Sequence, residues 1–261
     1  MTIAESPQST ISPKREQPES LSENMLRRYR EVRHFSEKLC EPLVAEDFVI
    51  QSMPDVSPTK WHLAHISWFF ETFILSEHHP DYRPFHPHFS YLFNSYYNTV
   101  GERHCRPKRG LVSRPTVDET FQYRRYIDQH MLELLSGADE EKLRELDPLL
   151  TIGLNHEQQH QELMVTDIKH VLTENPLRPL YQERQPVPHR GSQPLQWVDF
   201  DEGIYWIGHD GSGFSFDNEG PRHREFVQSF QLANRLVTCG EYLEFMNDGG
   251  YERFYLWLSE A

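Results

Sequence analysis

The chain has 261 residues, a net charge of −14 and 37% hydrophobic residues, which is enough for one large domain or two modest ones. This acidic balance argues against a general nucleic-acid or anionic-membrane surface, because phosphate binding requires clusters of basic residues. No window approaches the roughly 18 consecutive apolar residues of a membrane span. We therefore expect neither a nucleic acid nor a membrane as partner.

The cysteines and the N-terminus indicate an intracellular protein. Cys40, Cys105 and Cys239 lie far apart and form no CxxC pair, which fits a reducing cytoplasm better than a disulfide framework. Residues 1–19 are polar, contain three prolines and lack the apolar stretch of a secretory signal. We expect a cytoplasmic protein with a disordered lead-in over residues 1–19.

Two helices are predicted in the first third of the chain. Ser20 and Glu23 have the spacing of a capping box, and an apolar face with helical period follows until Pro42. The residues of that predicted face are Met25, Tyr29, Val32, Phe35 and Leu39. Ser57 and Pro58 predict the start of a second helix, apolar on nearly all sides, that runs to about residue 79.

The next hundred residues predict a long connection and two more helices. Residues 80–115 have no clean period, but their aromatic residues, Tyr96 and Tyr97 among them, favour an ordered, packed loop. A third helix is predicted from Thr116 to about residue 136, and a fourth from either Asp139 or Asp147 to about residue 174. Four helices with one long crossover indicate a mainly α fold, with a bundle over residues 20–174.

Composition changes after the fourth helix. Residues 175–196 contain five prolines and predict an extended linker. Residues 197–261 combine short strand-like patterns, glycine-rich turns and one helical stretch around 240–247. They predict a small mixed α/β segment that could barely bury a core of its own.

Two histidines on the fourth predicted helix form a candidate metal site. His156 and His160 are four residues apart, so both imidazoles project from one face and can share an ion. We expect that face to be the apolar, inward one, and Asp167 on the same stripe to hydrogen-bond a ligating imidazole. The other members of the predicted stripe are Leu149, Ile152, Leu163 and Val171.

A third ligand is available on the second predicted helix. His62 and His65 both lie on it, and spacing alone does not choose between them. Either one, meeting the pair on the fourth helix, makes a three-histidine site with open positions, which suits redox iron or catalytic zinc.

The fourth helix also matches the H-E-x-x-H signature of zinc hydrolases, in which Glu157 would be the general base. The downstream H-x-x-G-x-x-H extension is absent, and no strand pattern precedes the helix to form a substrate-binding edge. A zinc hydrolase therefore stands as an alternative interpretation.

The motifs together resemble those of the ergothioneine-biosynthesis sulfoxide synthases, the EgtB family. Two metal motifs carry the resemblance, at residues 57–73 and 155–164. Further stretches that resemble the family are residues 93–97, 106–115, 216–223 and 237–245. The resemblance implies a DinB-like four-helix bundle over residues 20–174, with residues 197–261 as the start of a formylglycine-generating-enzyme-like domain.

The resemblance also implies a cofactor, a reaction and its substrates. Iron(II) would be held by His65, His156 and His160. The enzyme would use O2 to join the thiol of cysteine or γ-glutamylcysteine to the imidazole of hercynine (Nα-trimethylhistidine), giving a sulfoxide. Gln159 matches a position near the histidine-derived substrate. Arg106 and Arg109 suit substrate carboxylates, or else pair with the acidic surplus of the chain.

The departure from the family lies at the C-terminus. Family members continue well past the position of Ala261, and their C-terminal domain supplies a tyrosine proton donor. The resemblance therefore places this catalytic tyrosine beyond Ala261, and no residue here takes its role. The chain is expected to be a fragment or a natural truncation. A truncated, non-catalytic metal-binding module is thus a second alternative, and neither the thiol donor nor the oligomeric state follows from the sequence.

Overall fold

The computed structural model describes residues 19–95, 101–186, 188, 191 and 193–258. Of the predicted lead-in, only Glu19 lies within the described residues, and Tyr96 and Tyr97 lie outside them. The helices are α1 Leu21–Cys40, α2 Thr59–Phe70, α3 Ser76–His78, α4 Phe89–Phe93, α5 Val117–Gly137, α6 Glu140–Glu174 and α7 Cys239–Asn247. The strands are β1 Trp197–Phe200, β2 Gly203–Ile207, β3 His223–Val227 and β4 Phe230–Ala233.

Side-chain caps fix the starts of three long helices. The Ser20 hydroxyl accepts from the amide of Glu23, whose carboxylate accepts from the Ser20 amide, so the predicted capping box of α1 is confirmed. Thr116 and Glu119 form the same box before α5. Asp139 caps α6 at 2.9 Å, which decides between the two predicted starts. The helix continues through Pro148 as one element of 35 residues.

The second predicted helix contains one widened turn. All twelve residues of α2 are buried, and a π-helical turn, Glu71–Leu75, joins α2 to the short α3. The buried carboxylate of Glu71 accepts hydrogen bonds from the hydroxyls of Tyr82 and Tyr123 and from the Phe85 amide. The extra residue of a π turn shifts the helical phase, which points Glu71 at these partners.

The inward face of α1 differs from the predicted one. Phe35 is 48% exposed, whereas Arg33 and Ser36 are buried together with Met25 and Tyr29. The prediction followed apolar periodicity, but the interior of the bundle contains acidic partners for Arg33, so a charged residue occupies a core position.

Four long helices form the bundle. α5 and α6 each pack against both α1 and α2, and the core between them is aliphatic and aromatic. Its fully buried members include Met25, Tyr29, Trp68, Phe70, Ile127, Met131 and Leu150. The predicted mainly α fold is confirmed.

The crossover from α2 to α5 packs on the bundle. Phe85, Phe89 and Phe93 lie around the ring of Tyr123, with ring centroids 4.9 to 6.3 Å apart. A 3₁₀ turn, Arg106–Leu111, follows. The expectation of an ordered, packed connection is therefore confirmed for its described residues.

The chain divides into two compact units, the second of which starts at Arg184. Within the stretch predicted as a linker, Tyr181 donates a hydrogen bond to the Leu39 carbonyl. In the second unit β1 pairs with β4 and β2 with β3, both antiparallel. Among its described residues only Gly250 is buried, so this unit has little core. No helix in the described part of the chain is long and apolar enough to cross a membrane.

A close approach of α6 to α2 predicts a stability effect at Gly153. A Cβ atom there would lie 2.6 Å from Cε1 of the buried Phe70. We expect Gly153→Ala to lower the free energy of unfolding by about 1 to 2 kcal/mol, because overpacking outweighs the better helix propensity of alanine. Urea unfolding of the metal-free protein measures this. Gly137→Ala is the control, since its Cβ meets nothing within 4 Å and should cause no loss; equal effects would contradict the packing argument.

Candidate metal centre

Three imidazoles from two helices converge inside the bundle. His65 comes from α2, and His156 and His160 come from α6. One ring nitrogen of each lies within 4.8 Å of the others, and the Nε2 atoms of His65 and His156 are 3.2 Å apart. The three nitrogens are close enough together to share a single ion.

The protonation of these rings fits metal binding. Burial lowers the pKa of all three imidazoles, that of His156 to about 4, because a charged ring is costly away from water. Neutral imidazole is the form that binds a metal. The Nδ1–H of His65 donates to the Phe93 carbonyl at 2.5 Å, which leaves its Nε2 lone pair facing His156.

A stack of flat groups supports His65. Its ring lies against Trp61, with centroids 4.6 Å apart and planes 12° apart, and it also stacks with Trp68 at 5.5 Å. The guanidinium of Arg109 lies 3.3 Å from the centroid of Trp61. Stacking and cation–π attraction therefore hold the ring plane of this histidine.

An open cavity of about 410 Å³ adjoins the three histidines. The predicted substrate residues Gln159, Arg106 and Arg109 all line it. Gln159 and Arg106 are exposed, whereas Arg109 is buried and donates to the hydroxyls of Ser57 and Ser95. A small molecule in this cavity would therefore meet imidazoles, an amide and positive charge together.

The remaining site expectation concerns the catalytic tyrosine of the C-terminal domain. Ala261, beyond which that tyrosine is expected, lies outside the described residues together with Ser259 and Glu260. The position of the tyrosine therefore stays a prediction.

His62 lies beside the centre rather than within the group of three. Its Nδ1 is 2.8 Å from Nδ1 of His160, and its Nε2 is 2.9 Å from a carboxylate oxygen of Asp167. Asp167 was expected to hydrogen-bond one of the ligating imidazoles, but it bonds His62 instead.

The inward stripe of α6 is rotated from the predicted one. Ile152 and Leu163 are 45% and 40% exposed, and the buried face instead includes Glu157 and Gln161. The prediction for those two apolar residues was wrong, because the interior holds a charged cluster that apolar periodicity does not reveal.

Glu157 is the centre of that cluster. Its fully buried carboxylate lies 3.1 Å from Arg33 and 2.7 Å from Arg124, and it accepts from the Ser36 hydroxyl. Burial alone would raise the pKa of Glu157, but the two guanidiniums and the hydroxyl lower it to about 2. A general base must be able to take a proton from water at the metal, and this carboxylate is fully engaged elsewhere. The zinc-hydrolase interpretation of Glu157 therefore has no support in the geometry.

Sequence reasoning missed the buried partners of the site. Arg33 and Arg124 were not singled out, nor was Trp61 as a support for His65. A signal existed for Arg33, which lies four residues after Tyr29 and so continues the helical register of Met25 and Tyr29. A charged residue in a core register indicates a buried ion pair.

The fold and the imidazole cluster define a four-helix bundle with a candidate metal centre. Residues 28–164, about half of the chain, match the family model of the DinB superfamily, and the chain belongs to that superfamily. It is also similar to hercynine oxygenase from Mycolicibacterium smegmatis (strain ATCC 700084 / mc(2)155), with 31% identity over 214 residues. That match covers 79% of this chain and 46% of the relative, so the chain spans about half the length of the curated relative it matches. The resemblance to the sulfoxide synthases is confirmed.

The Glu157 cluster makes a stability prediction. We expect Glu157→Ala to lower the free energy of unfolding of the metal-free protein by about 3 to 5 kcal/mol, because it leaves two buried guanidiniums without their shared counter-charge. Urea unfolding measures the change. Glu162→Ala, at an exposed position of the same helix, is the control and should stay within about 0.5 kcal/mol of wild type. A loss below about 1 kcal/mol in Glu157→Ala would contradict a structural role for the cluster.

Proposed function

We propose that the bundle holds one iron(II) ion on His65, His156 and His160 and takes part in O2-dependent C–S bond formation. The substrates would be hercynine and the thiol of cysteine or γ-glutamylcysteine, and the product a sulfoxide in ergothioneine biosynthesis. The observation that carries this proposal is the convergence of three neutral imidazole nitrogens within 4.8 Å beside an open cavity. The similarity to hercynine oxygenase supports the choice of substrate class.

The donor set fits the ion. Three neutral nitrogen ligands leave coordination positions for substrates, an arrangement typical of catalytic rather than structural sites. Iron(II) bound there would supply one-electron chemistry with O2. The backbone carbonyl of Phe93 and the stacked Trp61 keep His65 in its ligating orientation.

The cavity walls would bind and orient the organic substrates. The guanidinium of Arg109 provides a fixed positive charge, and exposed Arg106 provides one that can adjust, so together they suit the carboxylates of amino-acid substrates. Contacts with two serine hydroxyls and the ring of Trp61 hold the Arg109 guanidinium at the cavity wall. Gln159, one residue before His160, would donate or accept at the histidine-derived substrate. The reaction would take place in the cytoplasm.

The activity test starts from the metal-free full chain. It is loaded anaerobically with iron(II), and O2 uptake is then followed after addition of hercynine with cysteine or with γ-glutamylcysteine. Thiol-dependent O2 uptake with formation of a hercynyl sulfoxide is expected. Tight iron binding without uptake for either thiol would favour the alternative of a non-catalytic metal-binding module. Peptide hydrolysis that requires zinc would instead revive the hydrolase alternative.

The ligand assignment makes a separate prediction. His160→Ala should abolish stoichiometric iron(II) binding, because two imidazoles without the third form a weak, incomplete site. His62→Ala should weaken binding only modestly by comparison, by roughly 10- to 100-fold, since His62 contacts a ligand but is not one. Anaerobic competition against a chromophoric chelator measures both. Equal loss in the two variants would show that the third ligand is wrongly chosen.

A matched control is available at His130. Its imidazole donates to the Tyr126 carbonyl on α5 and lies outside the group of three. His130→Ala should therefore retain wild-type iron affinity, so that a loss in His160→Ala reports the site rather than the removal of any imidazole.

A further inference from the structure

We infer that His62 and Asp167 are positioning residues that fix the ring of His160 so that its Nε2 atom is the one presented to a metal. The inference rests on the proposed metal site and deepens it, because it assigns a purpose to two residues that the site itself does not use.

A chain of hydrogen bonds leads from the backbone to the ligand. The amide of Ser57, just before α2, donates to Oδ2 of Asp167 at 2.8 Å. The same oxygen lies 2.9 Å from Nε2 of His62, and Nδ1 of His62 lies 2.8 Å from Nδ1 of His160. His62, His160 and Asp167 are all buried, so water does not compete for these contacts.

The chemistry of these hydrogen bonds determines which ring nitrogen of His62 and of His160 carries a proton. A carboxylate only accepts hydrogen bonds, so the ring nitrogen of His62 that faces Asp167 carries a proton. In a neutral ring the other nitrogen, Nδ1, is then an acceptor. The facing Nδ1 of His160 must therefore be the donor, and Nε2 of His160 keeps its lone pair. One carboxylate thus dictates the tautomer of a ring that it does not touch.

The other two histidines of the site are held differently. His65 donates from Nδ1 directly to the Phe93 carbonyl. His156 has a buried Nδ1 without a hydrogen-bond partner in the described part of the chain, and its ring packs against Phe69 at 4.9 Å. His160 is instead hydrogen-bonded to the side chain of His62, which ties α6 to α2.

This series of hydrogen bonds also gives His62 a role beside His65. Asp167 follows His160 by two helical turns on α6, and His62 precedes His65 by about one turn on α2. This spacing places His65 and His160 at the proposed ion, and His62 and Asp167 immediately behind them. Carboxylate support of this kind fixes ring orientation and raises the basicity of a ligand.

The tautomers can be measured without any metal. Long-range ¹H–¹⁵N spectra of the metal-free full chain, labelled with ¹⁵N-histidine, distinguish protonated from unprotonated ring nitrogens. We expect the Nε2–H form for His62 and the Nδ1–H form for His160, with resonances assigned from His62→Gln and His160→Gln. An Nε2–H form of His160 would overturn the inference.

The effect on metal binding is tested with zinc as a redox-inert probe. His62→Phe keeps the ring shape but removes both hydrogen bonds, and we expect zinc affinity to fall by roughly 10- to 100-fold. His62→Gln retains one acceptor and one donor and should recover most of that loss. Asp167→Asn, which removes the charge that dictates the tautomer, should fall between them. The matched control is His170→Phe. His170 lies on α6 with His160 and Asp167 but bonds Ser52, so this variant should bind zinc as wild type does.

The outcomes separate this inference from the proposed function. Wild-type affinity in His62→Phe, or a His62→Gln variant as weak as His62→Phe, would overturn the positioning role and leave the metal site intact. If instead the wild-type chain binds zinc no better than His160→Ala, the metal site itself is wrong. Should His62→Phe fail to fold, the comparison of His62→Gln with Asp167→Asn and the tautomer spectra decide the question.

Discussion

The rotation of α6 about its own axis is the constraint on which the rest of the bundle depends. A buried carboxylate is costly unless its charge is matched, and Glu157 is matched only when it faces Arg33 on α1 and Arg124 on α5. Any other rotation of the helix would bury an unpaired charge. The ion cluster thus fixes the rotation of α6, and the direction of every other side chain on the helix follows from that rotation.

The register set by Glu157 also places the imidazoles. Successive residues of an α-helix point about 100° apart, so residues that are adjacent in sequence contact different neighbouring helices. Glu157 and Gln161 face Ser36 on α1, whereas His156 and His160 face His65 on α2. One face of α6 therefore carries the ionic cluster and the adjacent face carries the imidazoles of the candidate metal centre, and the ionic cluster keeps the imidazoles in place.

Sequence reasoning succeeded where local chemistry decides and failed where charge is buried. The cap at Ser20, the start of a helix at Thr116 and the pairing of histidines four residues apart depend on near neighbours, so the sequence predicts them. The inward faces of α1 and α6 were misplaced because periodicity analysis treats Arg33 and Glu157 as surface residues. Arg33 and Glu157 lie 124 residues apart, and Arg124 and Glu157 lie 33 apart on different helices, so no local pattern reveals these pairs. The role of His62 was left open for the same reason.

The π turn after α2 lets one helix satisfy two separate demands. Upstream of it, the positions of His62 and His65 are dictated by α6; downstream, Glu71 must meet the hydroxyls of Tyr82 and Tyr123. An uninterrupted α-helix would link these two demands rigidly, since each residue adds the same rotation. The additional residue of the π turn changes the rotation between His65 and Glu71, so that both groups of contacts can form. The contacts of Glu71 with the tyrosines and the positions of the imidazoles are therefore set separately, on either side of the widened turn.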